Sequence, residues 1–384
     1  MSLYTTPLQF GYFFCLIMWM LFLVRGFRQQ RLSDKLLGWI MFILATELQD
    51  YTFGFSGINV LWNELNGFPR GLQLLFGPIV YFYFRAQVDR SFALNRTHLW
   101  HFLPYTIAFL YEFVAFVQGP EAVQALQASA HFSVLSYLNR ILMIASFVYY
   151  LSRCMHIYRR YRAWSLNQFS NMELINFTWF RNFIYAMIFW LLFREVMNIF
   201  DSFMDLDFYQ DWWWNLALVA VSLYIGLAGF EQTQPAKIHF SLSEPTPDPK
   251  SDGIQNKGQQ RSSDPQIDEE KSAIADKLSK VMEDEKLYIQ SELNLQDLAQ
   301  HLKVNAVSLS ATINQVFGQN FNDFINSLRI EEFVRRYEED VNHRFTLLSL
   351  ALDSGFNSKA TFNRAFKKIK GSSPKEYLDE LAVK

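Results

Sequence analysis

Cysteine is scarce: 384 residues contain only Cys15 and Cys154. Two thiols so placed exclude a disulfide framework and a cysteine-rich metal site. Both fall in or beside apolar runs, where a free thiol packs as a small hydrophobe. Tryptophan is absent after Trp214, the last of ten. A charge excess is lacking too, since 35 basic residues face 37 acidic ones and leave a net charge of −2. The chain is therefore not basic throughout. Also missing are a His-Glu-x-x-His pair, a glycine-rich nucleotide loop and a Ser/His/Asp arrangement. No catalytic residue, metal ligand or cofactor is expected, and the reading is of a protein that is not an enzyme.

What the chain does have is long apolar runs, all before residue 232. Seven reach spanning length, roughly 20 residues each. They lie near 8–24, 36–56, 71–88, 99–117, 131–151, 182–200 and 212–230. No basic n-region or small-residue cleavage site precedes the first, so a removable signal peptide is not expected. The segments after spans one, three and five carry twelve Lys or Arg, while the opposite side carries only Arg70. The positive-inside rule then puts the N-terminus outside and, after seven crossings, the C-terminus in the cytoplasm. Trp212, Trp213 and Trp214 open the last span as an aromatic belt. The expectation is a multi-pass protein of the inner membrane, in contact with lipid.

Residues 232–270 contain five Pro among Ser, Asp, Gln, Gly and Lys, with hardly an apolar side chain. Such a composition cannot bury enough surface to fold and reads as a disordered linker. The domains are thus a membrane domain over 1–231, a linker over 232–270 and a helical domain over 271–384.

Helical periodicity returns in that last part. Asn294 is placed to cap a helix striped by Leu295, Leu298 and Leu302. Asn305 is placed to cap a second, with Leu309, Ile313, Val316 and Phe317 inward and Gly318 at its end. Two short helices across a tight turn form the helix-turn-helix pattern. A longer amphipathic helix follows, with Phe321, Phe324, Ile325, Leu328, Phe333, Val334 and Tyr337 inward. The pattern then recurs as TLLSLALDSGF, a turn at Gly355 and SKATFNRAFKKIKG. Phe362, Phe366 and Ile369 fall at i, i+4 and i+7, so the polar residues between them face outward. The fold class is all-α: a seven-helix transmembrane bundle, a linker, and two helix-turn-helix units joined by a long helix.

These residues resemble the AraC-type transcription regulators. The elements that match in order are Gly355-Phe356, Phe362, Arg364, Phe366-Lys367-Lys368, Gly371 and Ser373-Pro374, with LSATINQVFGQNFNDFINSLRI upstream. The resemblance covers about residues 270–380 and implies a sequence-specific binder of double-stranded DNA. The architecture as a whole resembles the membrane-anchored regulators of that type. There are two departures: Ala306–Phe317 holds no Lys or Arg, and Leu378 stands where the family often has Arg. Both weaken the phosphate grip and imply reliance on a homodimer.

From Lys271 onward basic and acidic residues balance at 16 each, but from Arg344 to Lys375 seven basic residues face only Asp353. A local field of this sign favours phosphate. Residues near the N-terminus of a recognition helix reach base edges and later cations reach the backbone. Lys359, Ala360 and Asn363 are the base-reading candidates, Arg364 is suited to either task, and Lys367 and Lys368 are the phosphate contacts. In the first unit Ser308, Ala311, Thr312 and Gln315 are expected outward, with Gln315 suited to adenine.

The membrane part carries ionisable residues inside its spans: Glu47, Asp50, Glu112, Arg140, Arg194 and Glu195. Such groups are costly in lipid and face a bundle interior, either as a ligand pocket or as structural ion pairs. The functional expectation is a membrane-tethered sensor and transcription regulator responding to a small-molecule ligand. The alternative is a transporter or channel-like protein with a regulatory helix-turn-helix tail.

Overall fold

The computed structural model describes residues 6–56, 65, 67–89, 91–171, 177–204, 206, 212–232, 265–340 and 344–382. Among these residues there are fifteen α-helices and no strand beyond a single antiparallel bridge between Phe169 and Asn294. The chain divides into two compact units. One holds residues 1–159 and 176–244; the other holds Arg160–Ile175 together with Pro245–Lys384. Most of the expected linker, residues 233–264, lies outside the described residues.

The first unit contains α1 (Thr6–Arg28), α2 (Leu32–Ser56), α3 (Gln73–Val88), α4 (Leu103–Gln118), α5 (Pro120–Gln127), most of α6 (Ala130–Leu166), α7 (Phe177–Met204) and α8 (Asn215–Phe230). Its packed centre is formed by α1, α2 and α8, with α3 against α2 and α7 against α8. Glycines let these helices approach closely. A Cβ on Gly11 would stand 2.7 Å from Val219, and one on Gly226 2.6 Å from Phe14. Small residues at such crossings are what helix packing in lipid selects. Arg25, one of the cations that sets the charge asymmetry, also has a structural task. It forks onto Asp34 at 2.8 and 2.9 Å and donates to the carbonyl of Phe230 at 2.6 Å, closing the C-terminal end of α8.

Among the described residues, five helical stretches are long and apolar enough to cross a membrane: Thr6–Arg28, Arg96–Gln118, Ala130–Leu166, Thr178–Met204 and Trp212–Phe230. The other two expected spans are helical but do not reach that measure. α3 has 16 residues, short of the roughly 20 a bilayer needs. α2 is long enough but carries Glu47, Gln49 and Asp50 in its second half.

The second unit contains α9 (Pro265–Glu285), α10 (Leu295–Leu302), α11 (Ala306–Val316), α12 (Phe321–Glu339), α13 (Leu347–Asp353), α14 (Lys359–Lys370) and α15 (Pro374–Ala382). Polar caps fix where these helices begin. Asn294, Asn305, Asn320, Thr346 and Ser358 each accept a backbone amide from the first turn they precede. Two hydrophobic cores result. Leu278, Leu295, Leu298, Leu309, Ile313 and Phe321 build the first, and Phe333, Leu350, Phe356, Phe362 and Phe366 the second. The long α12 supplies residues to both, its N-terminal half to one and its C-terminal half to the other. Gly355 turns α13 into α14 at φ +97°, where a Cβ would lie 2.7 Å from the Tyr288 carbonyl oxygen.

Candidate nucleic-acid interface

The second core dictates what α14 can present. Phe362 and Phe366 are buried in it, which turns the opposite side of the helix outward. All six residues expected there, Lys359, Ala360, Asn363, Arg364, Lys367 and Lys368, are exposed. Ser358 caps the start in extended conformation, and Gly371 ends the helix at φ +83°. Three lysines in the last turn, Lys367, Lys368 and Lys370, sit where the helix dipole favours cations. Lys368 is already engaged, pairing with both carboxylate oxygens of Asp323 at 2.6 and 2.7 Å. That pair ties α14 to the first turn of α12.

α11 matches the sequence expectation less well. Gln315 is exposed, and Ser308 and Ala311 are half-buried. Thr312 is fully buried, and its hydroxyl has no hydrogen-bond partner among the described residues. The expectation that it faces outward is therefore corrected. It follows Leu309 by three residues and precedes Ile313, so at 100° per residue it belongs to their side of the helix. α9 packs along α11 as well. Val307, which sequence reasoning passed over, is 77% exposed and lies on the same stripe as Ala311 and Gln315. Its spacing at i, i+4 and i+8 with Ala311 and Gln315 was the available signal.

Behind these surfaces α12 carries two buried charges. Glu332, 3% exposed, accepts from Arg335 at 2.6 and 3.0 Å, from Arg336 at 2.8 Å and from Lys286 at 3.3 Å. Burial alone would raise its pKa, but these donors pull it down to about 2. Arg329, 2% exposed, donates to the carbonyls of Tyr288 at 2.7 Å and Gln290 at 2.8 Å. Burial lowers its pKa to about 10, still well above neutrality, so it is charged.

In the first unit, Arg140 and Arg194 share Glu195 at 3.0 and 3.1 Å. They line a cavity of about 290 Å³ with Gln73, Ser136, Asn139 and Asn198. The Nε of Arg194 has no hydrogen-bond partner among the described residues. Gln73 also lines a smaller cavity of about 130 Å³ with Glu47, Asp50 and Arg70. Asp50 pairs with Arg70 at 3.5 Å. Five of the six ionisable residues singled out in the sequence thus gather around Gln73, while Glu112 on α4 lines neither cavity. Among the described residues no group of three His, Cys, Asp or Glu is arranged to hold a metal.

Residues 298–380 match the family model described as a helix-turn-helix domain. An uncharacterised helix-turn-helix-type transcriptional regulator of Staphylococcus aureus (strain COL) is 30% identical over 104 residues, which cover 27% of this chain and 13% of that protein. A counterpart from strain N315 gives the same figures. The melibiose operon regulatory protein of Escherichia coli (strain K12) is 32% identical over 85 residues, covering 22% of this chain and 27% of that one. The chain therefore spans only a minor part of the length of these relatives. No solved structure matches it. The C-terminal part of the chain is a helix-turn-helix domain of the kind found in transcription regulators.

Proposed function

We propose that the protein is a membrane-tethered, sequence-specific transcription regulator that couples a signal received by its N-terminal part to gene expression. The observation that carries the DNA-binding reading is the outward face of α14, with four cations and Asn363 exposed on a helix pinned from behind by Phe362 and Phe366. α10–α11 and α13–α14 are read as two helix-turn-helix units that enter successive major grooves, about 34 Å apart on one face of the duplex. α11 has no cation on its outer stripe, so it contributes shape and amide contacts, with Gln315 for adenine and Val307 for a thymine methyl. Regulators among the relatives, the melibiose operon protein included, support the same reading.

Membrane tethering is supported by the five apolar helices and by the side chains they expose. Phe10, Phe13, Ile17, Met20 and Phe27 of α1 and Ile107, Val114 and Val117 of α4 are all more than half exposed. Faces of this kind suit lipid rather than water. With the more polar α2 and the shorter α3 crossing too, the count is seven, the N-terminus outside and the DNA-binding domain in the cytoplasm. The cleft of Arg140, Arg194 and Glu195 is the proposed entry point of a small-molecule ligand.

Salt-titrated binding by the purified full chain tests the DNA-binding reading. Lys367→Ala is expected to weaken binding equally on all sequences and to lower the salt slope by about one. Asn363→Ala is expected to relax preference at one or two positions at a cost of about 1–3 kcal/mol. A competent protein indifferent to both changes removes α14 from the groove.

A further inference from the structure

The segment Arg160–Ile175 belongs to the second unit, although its first seven residues, Arg160–Leu166, are the end of α6. Its residues Gln168–Asn171 lie against the helical domain through a single antiparallel bridge. Phe169 pairs antiparallel with Asn294. On either side of that pair the Ser170 amide donates to the Leu293 carbonyl at 3.2 Å, and the Leu295 amide donates to the Gln168 carbonyl at 2.9 Å. The Ser170 hydroxyl donates to the same Leu293 carbonyl at 2.5 Å, and Ser170 and Asn171 are both buried.

Two buried polar side chains of α12 complete the notch. Asn322 donates its amide to the carbonyls of Phe169 at 3.1 Å and Ser170 at 2.8 Å. Arg329 adds a bond from Nη2 to the Ser170 hydroxyl at 3.1 Å, beside its bonds to Tyr288 and Gln290. A buried amide or guanidinium without acceptors is costly, so side chains of this type are retained in a core only where acceptors arrive. Here the acceptors come from a segment more than a hundred residues earlier. The bridge also lands on Asn294, the cap of α10, while Asn322 and Arg329 belong to α12. The docked segment therefore spans from the first helix pair to the long helix. It leaves Gln315 and the six outward residues of α14 exposed, so it does not act by covering them.

We propose that Asn294, Asn322 and Arg329 form a docking surface for the Gln168–Asn171 segment of the same chain, and that docking braces α10–α11 against α12 in the arrangement that binds DNA. This rests on the DNA-binding reading above. A protein that meets two grooves at once gains affinity from fixed spacing between its reading helices. Because Asn167 follows α6 directly in the chain, the docked fraction is the quantity a change in α6 would alter, and a ligand shifts it only by binding one state better than the other.

The test uses the full chain in membranes. Phe169 and Asn294 are the pair without mutual hydrogen bonds, whose Cα atoms in such ladders are about 4.5 Å apart, within disulfide range. Phe169→Cys with Asn294→Cys is expected to form a disulfide on mild oxidation. With a protease site inserted between Gln232 and Pro265, the two fragments should stay joined after cleavage until reduced. A disulfide-linked dimer on the gel would assign the notch to a second copy, and no cross-link would empty it; either result overturns the proposal. Ser170→Pro, which deletes the donating amide, is expected to lower chromosomal occupancy about five- to tenfold at unchanged membrane abundance. Ser170→Ala, which keeps that amide, should fall between it and the natural chain. Unchanged or increased occupancy in Ser170→Pro would also overturn the proposal. The cross-link needs no DNA, so it stands or falls separately from the DNA-binding reading, which Lys367→Ala addresses.

Discussion

Glu332 shows how much a single side chain of α12 organises. With its carboxyl held at about 2 against an ordinary 4.5, the charged form is the one the fold prefers. Its contribution is complete above about pH 4.5 and is lost as the pH falls toward 2. Its cationic partners are partly exposed, which limits the contribution to about 1–2 kcal/mol. Glu332→Gln should therefore lower the melting temperature of the second unit in the purified full chain at pH 6 and flatten its decline between pH 4.5 and 2.5. An unaltered pH profile would show that the carboxylate is not what these donors hold. Arg194 poses a different question at the same scale. It shares Glu195 with Arg140 and keeps an Nε beside the cleft without a hydrogen-bond partner among the described residues. As part of a ligand site, Arg194→Ala or Arg140→Ala should abolish signal-dependent transcription while membrane abundance stays normal. As a purely structural pair, either change strands a charge and lowers abundance instead.

Elements were legible in the sequence wherever a local rule fixed them. Asn294 and Asn305 cap the helices they were expected to cap, because an Asx side chain before an apolar stripe has little else to do there. Phe362 and Phe366 set the outward face of α14 through a period of 3.6 alone. What no local rule reveals is how one element meets another. The burial of Thr312 follows from which neighbours its side of α11 meets, and the docking of Ser170 joins positions that no periodicity connects. Gly355 lies between the two cases. Its turn was readable from the sequence, but its contact with the Tyr288 and Ile289 carbonyls was not. Gly355→Ala must accept φ +97° and a Cβ 2.7 Å from the Tyr288 oxygen. Backbone strain alone costs about 1–3 kcal/mol, so a clear drop in thermal stability is expected, with α13 and α14 losing amide protection first.

For the whole molecule, two span counts give the same sides for nearly everything. On the proposed membrane reading, the chain crosses seven times if α2 and α3 cross along with the five apolar stretches, and five times if they do not. Both numbers are odd, so both put the N-terminus and the helix-turn-helix domain on opposite sides. From Arg96 onward every later segment also keeps its side. Only the stretch between α2 and α3 differs, outside under seven crossings and inside under five. Arg70 in that stretch is the one cation counted against the positive-inside rule when seven spans are assumed. The gathering of Glu47 and Asp50 with Gln73 and Arg70 favours seven, since polar groups at the adjoining ends of two crossings can share water at the outer boundary. Leu65 is exposed and described in that stretch. In a chain carrying Cys15→Ala and Cys154→Ala, Leu65→Cys is expected to react with a membrane-impermeant maleimide added to intact cells. A reporter fused after Phe230 should meanwhile be active only in the cytoplasm, and one fused after Met204 only outside. Labelling of Leu65→Cys only after the cells are opened, with both reporters as expected, would reduce the count to five and leave the DNA-binding domain where it was.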